Sequence, residues 1–248
     1  MRRGRFMFKL SDLHNHSLFG IDDGADSFET TCAMIEKSYA EGVRRICFTP
    51  HFLNMPEHDA APEAVESAFE TAKAFCAERF PDMELYLGCE MSYHFDCIDT
   101  LAEKKAATIA GTRYVLVDFL ETPDARSIKV GVERILNRGY IPIVAHVERY
   151  QCLMGRIEDI RAMSMMGAVM QINASSLFKG LISPRRKQCL RLLSEELVDL
   201  VASDAHDLQM RPPELKKAAE LIVSKFGYEY AEALFSTNSD KIILNERL

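Results

Sequence analysis

Short apolar runs alternate with longer stretches of helical period along this 248-residue chain. Seven runs have the length and composition of buried strands: FKLSDLH, RRICFTPH, ELYLGCE, RYVLVDF, IPIVAHV, AVMQIN and VDLVASDAH. Amphipathic helices are predicted between them, and the chain ends in helical patterns from Pro213 to Phe226 and from Glu229 to Phe235. Strand then helix, repeated about seven times, predicts a parallel sheet covered by helices.

Two helix starts can be read from local signals. A helix is predicted from Asp26 to Gly42, beginning at a capping box in which Asp26 is followed by Glu29. Its buried face is predicted to carry Phe28, Cys32, Ile35 and Tyr39. A second helix is predicted to open at Ser183 and Pro184, with Leu190, Leu193 and Leu197 on its apolar face.

The number of strands and the chain length favour a closed parallel barrel within an α/β fold. An open, doubly wound sheet is the alternative. A chain of 248 residues with 48% hydrophobic residues can bury one large core, and no repeat or linker-like segment divides it. We therefore expect a single domain over residues 1–248.

Composition narrows the possible partners and the compartment. The formal net charge of −7 provides no basic stripe for a nucleic acid, so nucleic acid is disfavoured as the main partner. Seven scattered cysteines without a CxxC pair are typical of reduced thiols in a cytoplasm. The N-terminal MRRGRFMFKL has an apolar run too short for a signal peptide or a membrane span, and no export is expected.

Polar residues stand at the end of nearly every predicted strand. They are His14 and His16, His51, Glu90, Asp118, His146, Asn173, and finally Asp204 with His206. In a barrel these strand ends converge on one face, where active sites are built, whereas an open sheet would spread them along a line. The position of the polar residues therefore favours the barrel.

This set of side chains has the chemistry of a catalytic metal site. His14 and His16 are two residues apart on an extended segment, so both imidazoles project to the same side, and SDAH repeats the spacing at the last strand. With Asp23 in the IDDG turn, the set mixes imidazole and carboxylate without cysteine, which suits Mn, Fe or Zn with coordination positions open to water. A single histidine is more often a packing residue, and His58 and His94, which end no strand, are interpreted in that way.

The charge balance points to a phosphate ligand. Four carboxylates contribute −4, whereas three divalent ions would contribute +6, so a filled site would attract a dianionic phosphate. Arg149 and Arg211 follow strand-end histidines and can bind phosphate oxygens with paired donors. The alternative is that Arg149 pairs with Glu148 and that Arg211 caps or precedes a helix at Pro212.

Hydrolysis of a phosphomonoester by metal-activated hydroxide follows from these features. A cysteine-dependent phosphatase needs an arginine six residues after the nucleophile, and none of the seven cysteines has one. The sequence also lacks the GxxxxGK[ST] and GxGxxG phosphate loops.

The motifs resemble those of the PHP superfamily (polymerase and histidinol phosphatase), in its bacterial tyrosine-protein phosphatase branch of CpsB/YwqE type. The matching segments are DLHNHSLFGIDDGA, EGVRRICFTPH, LGCE, RYVLVDF, IPIVAHVERY, MQINASSL and ASDAHDLQMRPP, in family order between residues 12 and 213. The HxH…IDDG start together with AHVERY and SDAH…RPP is the specific part of the match.

The resemblance implies a distorted (β/α)7 barrel of TIM-like type with two to three metal ions, usually Mn²⁺. By position, His14, His16, Glu90 and Asp204 would bind one ion. Bridging Glu90 with Asp118 and His146 would bind a second, and Asp23, His51 and His206 a third. Arg149, Arg211 and Asp204 would act in catalysis on phosphotyrosine of a tyrosine kinase of capsule or exopolysaccharide synthesis.

Two features depart from the family pattern. The family usually has glutamate where this chain has Asp118, and the missing methylene shortens the reach by about 1.5 Å. About nine residues precede the first strand and include Arg2, Arg3 and Arg5, for which the sequence suggests no function. The same site could also serve a small-molecule phosphatase, such as a histidinol phosphatase, or a non-catalytic scaffold that recruits a phosphorylated partner.

Overall fold

The structure is a computed structural model that describes residues 8–55, 58–94, 96–103, 105–119 and 124–248. Arg2, Arg3 and Arg5 lie outside the described residues. Within these ranges the strands are β1 Leu10–Asn15, β2 Val43–Phe48, β3 His51–Phe52, β4 Glu84–Leu87, β5 Glu90–Ser92, β6 Tyr114–Asp118, β7 Ile141–Val144, β8 Val169–Asn173 and β9 Leu200–Ala202. All seven predicted runs form strands, and two of them are each split into two strands.

Each split has a local cause. Pro50, which separates β2 from β3, has no amide hydrogen to give to a neighbouring strand. Gly88, which separates β4 from β5, lies so close to Ile109 that an added Cβ would stand 3.0 Å from its Cδ1 atom and 3.2 Å from its Cα atom. Both interruptions come directly before the predicted ligands His51 and Glu90.

The strands are parallel and curl into a barrel, which confirms the predicted fold class. One sheet has the order β1-β2-β4, and the other has the order β3-β5-β6-β7-β8-β9. The ring closes at its C-terminal mouth, where Asn15 forms a bridge with Ala205 and the amide of Asp204 donates to the carbonyl of His14 at 2.9 Å. This closure contradicts the alternative of an open, doubly wound sheet.

Helices cover the outside of the ring. They are α1 Phe28–Ala40, α2 Pro62–Arg79, α3 Cys97–Ala102, α4 Ala125–Asn137, α5 Ile157–Met165, α6 Pro184–Ser194, α7 Lys216–Phe226, α8 Tyr228–Glu232 and α9 Asn238–Ile243, with a π-helical turn at Ala233–Thr237 before α9. No helix in the described part of the chain is long and apolar enough to span a bilayer.

The predicted capping box at α1 is wrong. The N-cap is Ser27, whose hydroxyl accepts a hydrogen bond from the amide of Thr30 at 3.2 Å. Asp26 instead accepts from the Thr30 hydroxyl at 2.6 Å, and Glu29 lies in the first turn, where its charge suits the helix dipole. The helix therefore begins one residue later than the sequence signal indicated.

Three other helix predictions differ in detail. The predicted face of α1 is only partly buried except at Ile35, because the face turned to the core carries Thr31, Met34, Ile35 and Ser38. Helix α6 opens at Pro184 as predicted, but it ends at Ser194, so Leu197 is buried in the turn that follows. Helix α7 begins at Lys216 rather than at Pro213.

Two apolar layers hold the strands in place. Inside the barrel, Leu116, Ile143, Val169 and Leu200 pack together below the mouth. Outside, a larger layer joins the opposite strand faces to the helices, and includes Val117, Val144 and Ile172. The inner layer fills the barrel, so polar chemistry is confined to the mouth.

Candidate functional site

The C-terminal mouth of the barrel collects all nine predicted metal ligands. They form three groups, and within each group the donor atoms all lie within 4.8 Å of one another. The groups are His14, His16 and Asp204; Glu90, Asp118 and His146; and His16, Asp23, His51 and His206. The strands thus bring together residues that are up to 192 positions apart in the chain, from His14 to His206.

Glu90 is the centre of this arrangement. Its Oε1 atom lies 2.9 Å from His146 Nε2 and 3.3 Å from His14 Nε2, while Oε2 lies 3.1 Å from His51 Nδ1 and 3.3 Å from His16 Nε2. Only 2% of its side chain is exposed. A buried carboxylate in contact with four imidazoles can bridge two cations.

The distances between donor atoms fit a shared divalent ion. His14 Nε2 lies 3.1 Å from His16 Nε2 and 3.5 Å from Asp204 Oδ1. Two donors bound about 2.1 Å from one tetrahedral ion are about 3.4 Å apart. The Nε2 atoms of His14 and His16 face each other, and two lone pairs at this distance would repel. The two nitrogens must therefore share a proton or a metal cation, and the donor set fits a metal.

The second group contains Asp118, the residue that stands where the family usually has glutamate. Asp118 Oδ2 lies 4.0 Å from His146 Nε2, and 17% of the Asp118 side chain is exposed. Its other oxygen, Oδ1, lies 3.3 Å from the hydroxyl of Tyr150. The shorter side chain therefore still reaches the cluster, at a longer distance than the other pairs.

Hydrogen bonds fix which nitrogen His14 and His16 present to the cluster. His16 Nδ1 donates to Asp22 at 2.7 Å, and His14 Nδ1 donates to Gln171 Oε1 at 3.1 Å, so both Nε2 atoms point to the centre. Gln171 Oε1 also accepts from the amide of His146 at 2.7 Å. Neither Asp22 nor Gln171 was singled out from the sequence.

A sequence signal for Gln171 existed. In β8, Gln171 and Asn173 are alternate residues of a fully buried strand, so two polar side chains face the same way in an apolar segment. Gln171 Nε2 donates to Asn173 Oδ1 at 2.9 Å, and Asn173 donates to Asp204 Oδ2 at 2.6 Å. Asp22 had no comparable signal, because the IDDG pattern does not show which of the adjacent residues Asp22 and Asp23 points to the donor cluster and which one orients a histidine.

The backbone is under constraint at three points of the site. His146 and Asp204 have positive φ values of 33° and 52°, which is costly for residues other than glycine. At Gly24 a Cβ atom would stand 1.8 Å from the carbonyl oxygen of His16, so the IDDG turn needs its glycine for close approach. At these three points the constrained backbone holds side chains of the site in position.

The electrostatics of the cluster are strongly coupled. Burial opposes the charged form of His14, but Glu90 and Asp204 outweigh it and raise the pKa of His14 to about 9. Burial likewise opposes the charge on His51, and Asp23 and Glu90 raise its pKa to about 10. Burial would raise the pKa of Glu90, but the surrounding histidines hold it well below its usual value. The carboxylates are thus available as anionic ligands.

Both predicted phosphate-binding arginines contact the same predicted ligand, Asp204. Arg149 Nη1 lies 3.2 Å from Asp204 Oδ2, and Arg211 Nη2 lies 2.7 Å from Asp204 Oδ1. The two side chains are 25% and 39% exposed, whereas Asp204 is 3% exposed. Arg149 does not use Glu148, whose Oε1 is occupied by Ser176 and the amide of Asn173. The guanidinium groups of Arg149 and Arg211 therefore lie on the solvent side of the cluster.

A parallel barrel with imidazole and carboxylate clusters at its mouth defines a class of metal-dependent hydrolases. The chain belongs to the capsular polysaccharide synthesis family CpsB/CapC, whose model matches residues 10–244. It is 33% identical over 243 residues to the tyrosine-protein phosphatase CpsB of Streptococcus agalactiae serotype V, covering 94% of this chain and 98% of that protein.

Solved structures agree with this assignment. A structure from work on YwqE of Bacillus subtilis and CpsB of Streptococcus pneumoniae, described as metal-dependent tyrosine phosphatases, superposes with a TM-score of 0.87 at 26% identity, covering 96% of both chains. The histidinol phosphate phosphatase of Lactococcus lactis, solved with zinc, histidinol and phosphate, gives a TM-score of 0.59 at 16% identity. It covers 88% of this chain and 93% of that one, and shows a shared fold.

Proposed function

We propose that this protein is a metal-dependent tyrosine-protein phosphatase that removes phosphate from a tyrosine kinase of capsule or exopolysaccharide synthesis. The observation that carries the proposal is the convergence of nine ligand side chains and two arginines at one mouth. Membership of the CpsB/CapC family, with a relative named as a tyrosine-protein phosphatase, supports the substrate class.

The three donor groups would hold two to three divalent ions, with Mn²⁺ as our choice and Fe or Zn as alternatives. Bound ions of this kind acidify water towards neutral pH and stabilise the entering and leaving oxygens of an in-line displacement. The residues themselves set the geometry. Glu90 contacts histidines of all three groups. Gln171 and Asp22 keep the imidazoles of His14 and His16 turned towards the cluster.

Arg149 and Arg211 would bind the phosphate group of the substrate. Asp204 holds one nitrogen of each guanidinium, which leaves the remaining N–H donors free to contact phosphoryl oxygens. Their positive charge favours the charge that spreads over those oxygens in the transition state. Asp204 thus serves both as a ligand and as the residue that orients the two arginines.

The seven free thiols are consistent with a cytoplasmic location, which we include in the proposal. A cytoplasmic kinase domain would then be accessible as the phosphorylated partner.

The test compares substrates on protein purified without chelator. We expect hydrolysis of a phosphotyrosyl peptide that is abolished by chelator and restored by Mn²⁺, with a higher kcat/KM than for histidinol phosphate. The reverse preference would favour a small-molecule phosphatase. Tight binding of the phosphopeptide without turnover in the presence of Mn²⁺ would favour a scaffold. Full activity in metal-free protein would refute the mechanism.

A further inference from the structure

The segment that connects His206 to Arg211 is a closed loop with both ends in the site. The amides of His206 and Asp207 donate to the carbonyl oxygen of Arg211 at 2.9 and 3.3 Å. At the other side of the loop, Asp207 Oδ1 accepts from the amides of Gln209, Met210 and Arg211 at 2.6, 2.5 and 3.2 Å. The loop is therefore held in one conformation by its own backbone and by one carboxylate.

The tip of this loop carries large apolar side chains in solvent. Met210 is 86% exposed and Leu208 is 40% exposed, with exposed Gln209 between them. Tight turns favour small polar residues, and an exposed methionine gains nothing from burial in the folded protein. On a rigid loop that ends at a residue of the site, such apolar side chains are available to contact a bound ligand.

The location of the tip relative to Arg211 identifies the part of the substrate that it can reach. Arg211 turns its guanidinium inward to Asp204 at 2.7 Å, while its neighbour Met210 points to solvent. The predicted ligands lie on the inner side of Arg211, so the ester group of a phosphate held by Arg211 would leave towards solvent, on the side where the loop lies. Met210 is the neighbour of Arg211, about 3.8 Å away between Cα atoms, and its flexible side chain could turn towards that group.

We propose that Met210, with Leu208 beside it, contacts the aromatic ring of a phosphotyrosyl residue and gives the site its preference for aryl over alkyl phosphates. This inference rests on the proposed phosphatase function. The flexible side chain and polarizable sulfur of methionine suit an aromatic ring, with the sulfur at the ring edge. Asp207 is a positioning residue, because it acts on substrate only through the loop that it holds.

The test uses three phosphate compounds on the metal-loaded protein: a phosphotyrosyl peptide, glycerol phosphate, and inorganic phosphate as an inhibitor. For Met210→Ser we expect kcat/KM for the peptide to fall roughly tenfold relative to that for glycerol phosphate. The inhibition constant of inorganic phosphate, which has no ring, should stay within twofold. Met210→Leu should restore most of the preference, because it keeps an apolar side chain of similar size.

Met165→Ser is the matched control. Met165 is 82% exposed at the end of α5, outside the loop, and its loss should leave the substrate ratio unchanged. If Met210→Ser lowers hydrolysis of both substrates equally or weakens phosphate inhibition, the loop only supports Arg211 and the inference is wrong. An unchanged ratio also contradicts it, as does a change in oligomeric mass by light scattering, which would assign Met210 to contact between copies. Failure of the wild-type protein to hydrolyse any of the substrates would instead refute the proposed function.

Discussion

At the scale of single residues, the site divides into side chains that would bind metal and side chains that would bind phosphate. His16 belongs to two of the three donor groups, so it connects them. Arg149 touches the cluster only through Asp204. The two residues should therefore have separable functions.

Replacing His16 and Arg149 tests this division. We expect His16→Ala to lose bound metal and activity together. Arg149→Ala should keep the metal and lower kcat/KM by about a hundred- to a thousandfold, the scale for loss of one oxyanion donor. Metal analysis and phosphopeptide kinetics on the same preparations measure both effects. Full activity in Arg149→Ala would remove its assigned role.

Gln171 offers a prediction about a residue that binds no metal itself. It accepts from both His14 and the backbone of His146, so Gln171→Leu should weaken metal affinity by about ten- to a hundredfold. Calorimetric titration with Mn²⁺ measures this. Gln188→Leu is the control, because Gln188 is also buried but bonds only to Leu153 and Gly155, outside the cluster. It should lower the melting temperature and leave metal affinity unchanged.

At the scale of structural elements, the turn after β1 and the pairing of β8 with β9 support the site. The IDDG turn places Asp22 in contact with His16 and Asp23 in contact with His51. Gly24 allows the turn to lie close to the backbone of His16. The β8–β9 pair positions Asn173 and Asp204. Both elements should therefore respond to changes that leave every ligand in place.

Gly24→Ala should displace this turn. A Cβ atom 1.8 Å from the His16 carbonyl forces the backbone to move, at a cost of about 1–3 kcal/mol. We expect a lower melting temperature and fewer Mn²⁺ ions per chain, because Asp23 leaves the third group. Gly180→Ala, where nothing lies within 4 Å of the new Cβ atom, should do neither. A normal metal content in Gly24→Ala would contradict the assigned role of the turn.

Asp199, which directly precedes β9, makes the stability of the β8–β9 pair depend on pH. Burial raises its pKa above the usual 3.8, although it accepts from the amide of Met170 at 2.8 Å. A group with a raised pKa in the folded state binds its proton more tightly when folded, so its contribution to stability is lost as pH rises through the folded pKa. The carboxylate therefore lowers stability at neutral pH.

The variant Asp199→Asn keeps an acceptor for Met170 and removes the charge. Its stability should match that of the wild-type protein at pH values below the usual carboxyl pKa, exceed it increasingly as pH rises through the raised pKa of Asp199, and keep a constant advantage above that. Thermal unfolding of both proteins in chelator, which excludes metal effects, measures the difference. A difference that is constant with pH would show that Asp199 does not titrate over this range.

At the scale of the whole molecule, the nine candidate ligands come from the ends of strands distributed from β1 to beyond β9. An ion bound by three such residues joins segments that are far apart in sequence. The unfolded chain has no such arrangement of donors, so metal binding should stabilise the folded barrel.

Addition of Mn²⁺ should raise the melting temperature of chelator-treated protein. A site with free metal at a hundred times its dissociation constant adds about 2.7 kcal/mol. The increase should continue with concentration and should be much smaller in His16→Ala, which interrupts two groups. Calorimetry at several Mn²⁺ concentrations measures it. An unchanged melting temperature would mean that the mouth holds no ion under these conditions.

The sequence by itself determined the strands, the parallel barrel and which polar residues meet at its mouth. These depend on local period and on one topological rule, that the C-terminal ends of parallel barrel strands meet at a single mouth. His51 and Glu90 were identified in this way even though their strands are split by Pro50 and Gly88.

The tertiary structure alone decided which donors share a group, that both arginines converge on Asp204, and that Gln171 and Asp22 orient the histidines. It also decided that Ser27, not Asp26, caps α1. The reason is physical. The periodicity of a sequence shows which face of a helix or strand is buried. Contacts of about 3 Å between side chains depend instead on strand register, strained backbone and the packing of residues that are remote in the chain.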